Sequence, residues 1–319
     1  RFRELFTEEA SRSAVAARSV LKVLLAWAKR LPGLDTLVEW IESGQAETEL
    51  DRHNTASASA AMFDLKPHVV EASKIAAAIR GEEVAVLAGV EGLGWDQIRA
   101  RMLIWINQQA SEFVTRTTAA DREALRRLIE SSLLEGETRD QFTRRLARHL
   151  QDTIGLDEPR SLALEKFRQE LAEKVRAGKL TERKAAQLVE TYRRRLFKSR
   201  AETIAADEIG RAMNESTAEL WDEANRRRQL NGYEKTWLAI LRDGRVCRIC
   251  YAAHGQRVAI NQPFTLSDGR RVRTAHAHTR CRCQMSLERK GSKPRHKVPF
   301  VVAKRGRSLR PMVPKPRAR

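Results

Sequence analysis

The sequence of 319 residues contains four cysteines, three tyrosines and no acidic residue after Glu288. Each shortage narrows what the chain can be. Four cysteines cannot staple a chain of this length throughout, so the core has to come from apolar packing, for which 42% hydrophobic residues suffice. No window of eighteen uncharged apolar residues occurs; the nearest, VLKVLLAWA at 20 to 28, is short and carries Lys22, which argues against a membrane span. No stretch has the pattern of a cleavable secretion signal, so the thiols are expected to work in a reducing compartment. The patterns GxxxxGK[ST], GxSxG and HExxH are missing as well. That removes the phosphate-cradling loop, the nucleophile elbow and the metalloprotease helix, and with them any small-molecule substrate the sequence could suggest.

Positive charge is in excess, and it is unevenly placed. Of the net +19, +12 lies between Arg289 and Arg319, a tail that also holds five of the nine prolines. With one apolar cluster, VPFVVA, the tail has too little to bury to fold by itself. Arg289, Lys290, Lys293, Arg295, Lys297, Lys304, Arg305 and Arg307 are its candidate nucleic-acid contacts, because cations laid along phosphates release counterions. An acidic protein surface or plain solvent are the other readings of the same residues.

Helical periodicity dominates up to about residue 228. Residues 8 to 30 are rich in helix formers and stop at Leu31-Pro32-Gly33; a shorter helix is expected around LDTLVEWIES, and one kinked helix or two over 54 to 80, interrupted by Pro67. EGLGWDQ at 91 to 97 reads as a loop. Thr118 with Asp121 has the form of a capping box, followed by a stripe of Leu125, Leu128, Ile129 and Leu133; Thr138 with Gln141 repeats the signal before Phe142, Leu146 and Leu150. A further helix carries Leu164, Phe167, Leu171 and Val175 and closes at Gly178. Leu188, Tyr192 and Leu196 then open a run long enough to suggest a bend near Lys198 and Ser199, and the charged stretch YRRRLFKSR reads as a solvated face.

The pattern changes near residue 229. Trp237, Ala239 and Leu241 alternate with more polar neighbours, as in a strand running into a turn at Asp243-Gly244, and GQRVAI, PFTLSDGRRVRT and CQMSL read as further short strands. The expected fold is mainly α, a helical bundle, with a compact α+β module at 229 to 288 and the basic tail at 289 to 319. A module of about sixty residues needs a staple. All four cysteines lie in it: Cys247 and Cys250 form a CxxC knuckle, and His278 with Cys281 repeats the two-residue gap on a second arm, with Cys283 as a competing or fifth ligand. Thiolates and imidazole at this spacing suit a tetrahedral structural zinc; paired disulfides and free thiols are the alternatives. His276 and His254 read as groups beside that site or as unrelated surface histidines, with the surface reading favoured for His254. A zinc-containing DNA-binding protein or nuclease is the alternative function, but the module has no Asp-His pair with a suitably spaced further ligand, so no enzyme is expected.

SRAETIAADEIGRAMNESTAELW, KTWLAILRDGRVCRIC and HTRCRC, in that order, resemble the C-terminal domain of the Mu F-like minor head proteins of tailed phages, the phage head morphogenesis family. The family pattern is RAxxIAxTE, a tryptophan strand, D-x-x-V-C-x-x-C and a closing P-P-x-H-P-x-C-R-C. Arg200, Ile204, Ala205, Glu208, Trp237, Asp243, Cys247, Cys250, His278, Cys281, Arg282 and Cys283 fall on it, over roughly residues 120 to 288. Ala206 and Asp207 depart from a frequent Arg-Thr, and Ala275, His276 and Thr279 from favoured prolines. The resemblance implies a minor structural protein of the virion, made in the bacterial cytoplasm and associated with the portal vertex. It would act in head assembly with portal, capsid or scaffold proteins and, through the tail, with packaged DNA. It places residues 116 to 228 and 229 to 288 inside the domain and leaves residues 1 to 115 as an N-terminal helical region able to contact portal or capsid.

Overall fold

A computed structural model describes residues 2–29, 33–133, 156–241 and 246–292, with backbone alone for 2–6, 27, 47 and 120–133. Among the described residues six helices precede the sheet: α1 (Phe2–Ala28), α2 (Leu34–Glu42), α3 (Ala46–Ala88), α4 (Trp95–Leu133), α5 (Glu158–Arg176) and α6 (Glu182–Arg226). There follow β1 (Tyr233–Leu238), the short helix α7 (Arg248–Ala253), β2 (Arg257–Ala259), β3 (Phe264–Thr265), β4 (Arg271–Val272) and β5 (Gln284–Arg289). The protein is thus mainly helical, with a small antiparallel β module at the C-terminal side.

Two long helices differ from the sequence pattern. α3 passes through Pro67 as one element, with Leu65, Val69, Ala72 and Ser73 buried to either side of the proline. Thr118 does not begin a helix. It lies inside α4, and its hydroxyl donates to Val114 O and Thr115 O, both at 3.0 Å, so the oxygen that would cap a new helix serves the turn before it. Backbone at Leu125 to Leu133 is helical in α4, but that stripe's side chains, and the second capping box with Phe142, Leu146 and Leu150, lie outside the described residues. α6 continues as one helix through Lys198 and Ser199.

Among the described residues the chain gathers into two compact units that do not follow chain order. One draws on Ala17–Leu65 and Gln109–Glu202. In it α5 begins at Asp157 with a proline in its first turn and ends in a tight reversal, Lys179 N–H to Lys174 O at 2.9 Å, with Gly178 left-handed at φ +67°. Phe167 meets Tyr192 with ring centroids 4.6 Å apart. Buried Arg160 ion-pairs with Asp157 and donates to Ser199 O at 3.1 Å. YRRRLFKSR is only partly a solvated face, since Tyr192, Leu196, Phe197 and Arg200 are buried.

The other unit draws on the described residues of 2–16, 66–108 and 203–292. Its core joins Val84 of α3 and Ile98 and Met102 of α4 with Trp221 of α6, Trp237 of β1, Phe264, and Met285 and Leu287 of β5. β1 is the middle strand of an antiparallel sheet ordered β2-β1-β5, with Trp237 opposite Met285 and Leu238 opposite Gln284; β3 and β4 pair separately. As a central strand β1 is buried on both faces: Lys235, Thr236 and Leu238 are as hidden as Trp237, where alternation would expose the polar side. The Lys235 ammonium is accommodated by donating to Arg273 O at 2.9 Å and lying 5.3 Å from the Phe264 ring centroid; burial first of all pulls its pKa down to about 8.

Candidate metal centre

Cys247 caps the N-terminus of α7 rather than sitting on a strand turn. Its backbone is extended, and its sulfur accepts the Cys250 N–H at 3.3 Å, which brings two sulfurs to one side of the first helical turn. β1 holds this knuckle in place: Gly255 N–H donates to Trp237 O at 2.8 Å, Trp237 N–H to Gln256 O at 3.0 Å, and Ala239 N–H to His254 Nδ1 at 3.0 Å. His254 is therefore a half-buried anchor and not the free surface residue expected from sequence.

The second arm is a turn closed by Cys281 N–H on His278 O at 3.0 Å, with Arg280 left-handed at φ +61°. A side chain with a Cβ is strained there. The Arg280 guanidinium is fixed on Thr203 Oγ1 of α6, with Nε at 2.8 Å. Beyond the turn Cys281 and Cys283 are buried and Arg282 between them is half-buried, the alternation of an extended chain running into β5. Asn214 of α6 donates to Cys283 O at 3.1 Å.

The arms converge. His278 Nε2 lies 3.1 Å from both Cys247 Sγ and Cys250 Sγ, and Cys250 Sγ lies 3.7 Å from Cys281 Sγ. All four cysteines are free, and their donor atoms form two triads, Cys247/Cys250/His278 and Cys250/Cys281/Cys283, each with every atom within 4.8 Å of the others. The donor set fits zinc. Cysteine thiolates and an imidazole gathered this closely are the donors that tetrahedral zinc takes. His278 Nδ1–H faces Thr279 O at 2.8 Å, which leaves Nε2 as the ligand nitrogen. The electrostatics point the same way. Hydrogen bonding from the Cys250 thiol first, then from His278, pulls Cys247 down to about 4, and Cys247 in turn raises His278 to about 9. Thiolate and imidazolium thus hold each other where a cation would hold both.

Charged groups behind the second arm brace it. His276, buried, meets Asp207 of α6 at 2.8 Å, and Arg211 meets the other Asp207 oxygen at 3.2 Å. Burial acts to raise the Asp207 pKa, but His276 and Arg211 outweigh it, and the net direction is down. Arg273 reaches Glu215, Glu219 and Asp222 along one face of α6, the last two at 2.6 Å. Glu9 of α1 accepts from Gln284 Nε2 at 2.6 Å; burial, opposed by Gln284 and His276, lifts its pKa to about 7. None of Glu9, Thr203, Asn214 or Arg273 could be assigned to the site from sequence, since each contact spans fifty residues or more. Asp207 and His276 did leave a signal, as two of the departures from the family pattern, and they turn out to be partners.

Of the other expected site residues, Arg200, Glu208 and Trp237 are buried, Ile204 and Arg282 are half-buried, and Asp243 lies outside the described residues. Arg289 ends β5 with its guanidinium 5.9 Å from the Tyr233 ring centroid, and Lys290 N–H donates to Gly232 O at 2.7 Å. Lys293, Arg295, Lys297, Lys304, Arg305 and Arg307 lie outside the described residues. Among the described residues no helix is long and apolar enough to cross a membrane.

Helices followed by a small sheet whose two arms meet in a Cys/His cluster define a class of mainly helical protein with a cluster that could hold a metal ion. The particular family follows from comparison: the chain belongs to the phage Mu protein F-like family, whose model matches residues 123–286, just over half of its length. This is a family of structural phage head proteins, so the chain is a phage head morphogenesis protein whose expected associates are other capsid or portal components. No curated protein and no solved structure matches it.

Proposed function

We propose that this protein is a minor structural component of the phage head, associated with the portal vertex and acting in head assembly. Its C-terminal module is held by zinc on donors drawn from Cys247, Cys250, His278, Cys281 and Cys283. The observation that carries this reading is that the family match spans both arms of the Cys/His cluster and the helix that braces them. When bound, zinc supplies a tetrahedral crosslink between the α7 knuckle and the arm leading to β5. The residues themselves orient that crosslink. The basic tail, from Arg289 onward, lies along packaged DNA or an acidic portal or scaffold surface, and the helices before residue 116 offer a portal or capsid contact.

Phage carrying a deletion of this gene tests the reading directly. Heads made without the protein should be aberrant or empty, and wild-type heads should carry it in few copies at one vertex. DNA-filled heads of normal yield from the deletion phage would reject it. Purified protein should contain zinc, and its binding to DNA should fall steeply with salt and vanish on truncation after Glu288.

A further inference from the structure

Given the zinc reading above, on which this step rests, five donors compete for four positions. We infer that Cys283, and not Cys281, is the fourth ligand beside Cys247, Cys250 and His278. Sequence spacing favours the opposite choice, because His278-x-x-Cys281 mirrors Cys247-x-x-Cys250.

A metal ion needs a space of its own that all its donors face. Next to the cluster there is one small cavity, of about 20 Å³, enough for a single ion or water. Its walls include Cys247, Cys250, His278 and Cys283; Cys281 is not among them. The Cys281 sulfur instead lies 3.5 Å from Ala275 O, to which its S–H donates, and 3.7 Å from Cys250 Sγ. Its sulfur thus has partners away from the cavity. The donor atoms form two triads that share Cys250, and the inferred set completes the Cys247/Cys250/His278 triad with Cys283 from the other.

Three thiolates and a neutral imidazole around a dication leave one negative charge whichever cysteine is fourth, and Arg280 and Arg282, which line this cavity beside Cys283, are placed to offset it. Arg280 is held there by Thr203 despite its left-handed backbone, which is where conformational cost is spent to place a cation.

Cobalt replaces zinc in such sites and reports each bound thiolate through its charge-transfer absorption. In the full-length chain loaded with Co(II), Cys281→Ser should leave that band at the wild-type intensity, since a serine hydroxyl can still donate to Ala275 O. Cys283→Ser should lower the band by about a third and release zinc to a chelator at least tenfold more readily. X-ray absorption of the zinc-loaded Cys281→Ser protein should show three sulfurs and one nitrogen, a measurement that decides the matter even if Cys283→Ser does not fold. Two sulfurs in that variant, or a band lowered by Cys281→Ser, would overturn the assignment. Four sulfurs in the wild-type protein would overturn it too. Wild-type protein that takes up neither metal would reject the zinc reading itself, a separate outcome.

Discussion

At the scale of residues, two substitutions away from the family pattern account for each other. Where the pattern of the resembled family has proline and threonine, this chain has His276 and Asp207, and the two meet in a buried hydrogen bond of 2.8 Å that ties the arm to α6. Asp207→Thr alone should therefore cost about 2–3 kcal/mol in urea unfolding, by leaving a buried imidazole without its acceptor. Adding His276→Pro should recover at least half of the loss, and strictly additive losses would contradict the exchange. Glu9 gives a pH signature. Its folded pKa of about 7 stands above the ordinary glutamate value of 4.5, so the stability it contributes is complete below pH 4.5 and is lost as pH rises through 7. Glu9→Gln, which keeps an acceptor for Gln284, should match wild type near pH 4 and exceed it at pH 8 by about 1–3 kcal/mol, measured by thermal unfolding across pH. The cysteines and His278 were legible in sequence because two-residue gaps are local. Their braces were not, because Thr203, Asn214 and Asp207 reach the arm across about seventy residues of chain.

At the scale of elements, local propensity located the helices better than it divided them. Gly178 ends α5 as its sequence position indicates, since a left-handed residue there satisfies the last carbonyls whatever lies nearby. Pro67 and Thr118 carry stop and start signals that burial overrides. α3 keeps a proline at an exposed position because apolar residues on either side are committed to the core. Pro67→Ala should then stabilise the protein by about 1–3 kcal/mol without changing helix content, read as a higher denaturant midpoint and an unchanged far-ultraviolet spectrum. β1 misled in the other direction. Lys235 falls on the face of Trp237, and the lysine is as buried as the tryptophan in a strand paired on both edges, a setting invisible in the strand's own six residues.

At the scale of the whole molecule, the small sheet does not stand alone. Sequence suggests a module at 229 to 288 that chelation would loosen while the helices stayed folded, but Trp237, Phe264 and Met285 share one core with Val84, Ile98, Met102 and Trp221. Removing zinc should accordingly raise hydrogen exchange in residues 77 to 102 and 213 to 226 as well as in the sheet, while Gly178 and its neighbours in α5 keep their protection. Exchange confined to 229 to 288 would mean that the core is less continuous than its contacts indicate. The same gathering of distant segments bears on how the protein is made. As the ribosome proceeds, the apolar faces of α3 and α4 emerge well before Trp221 and Trp237, and at about 5–20 residues per second roughly 6 to 30 s pass before the partners of those faces exist. For that interval the nascent chain presents sticky helices with nothing to cover them, so a chaperone's hold on the translating chain, or its absence, should set how much of the protein reaches the head.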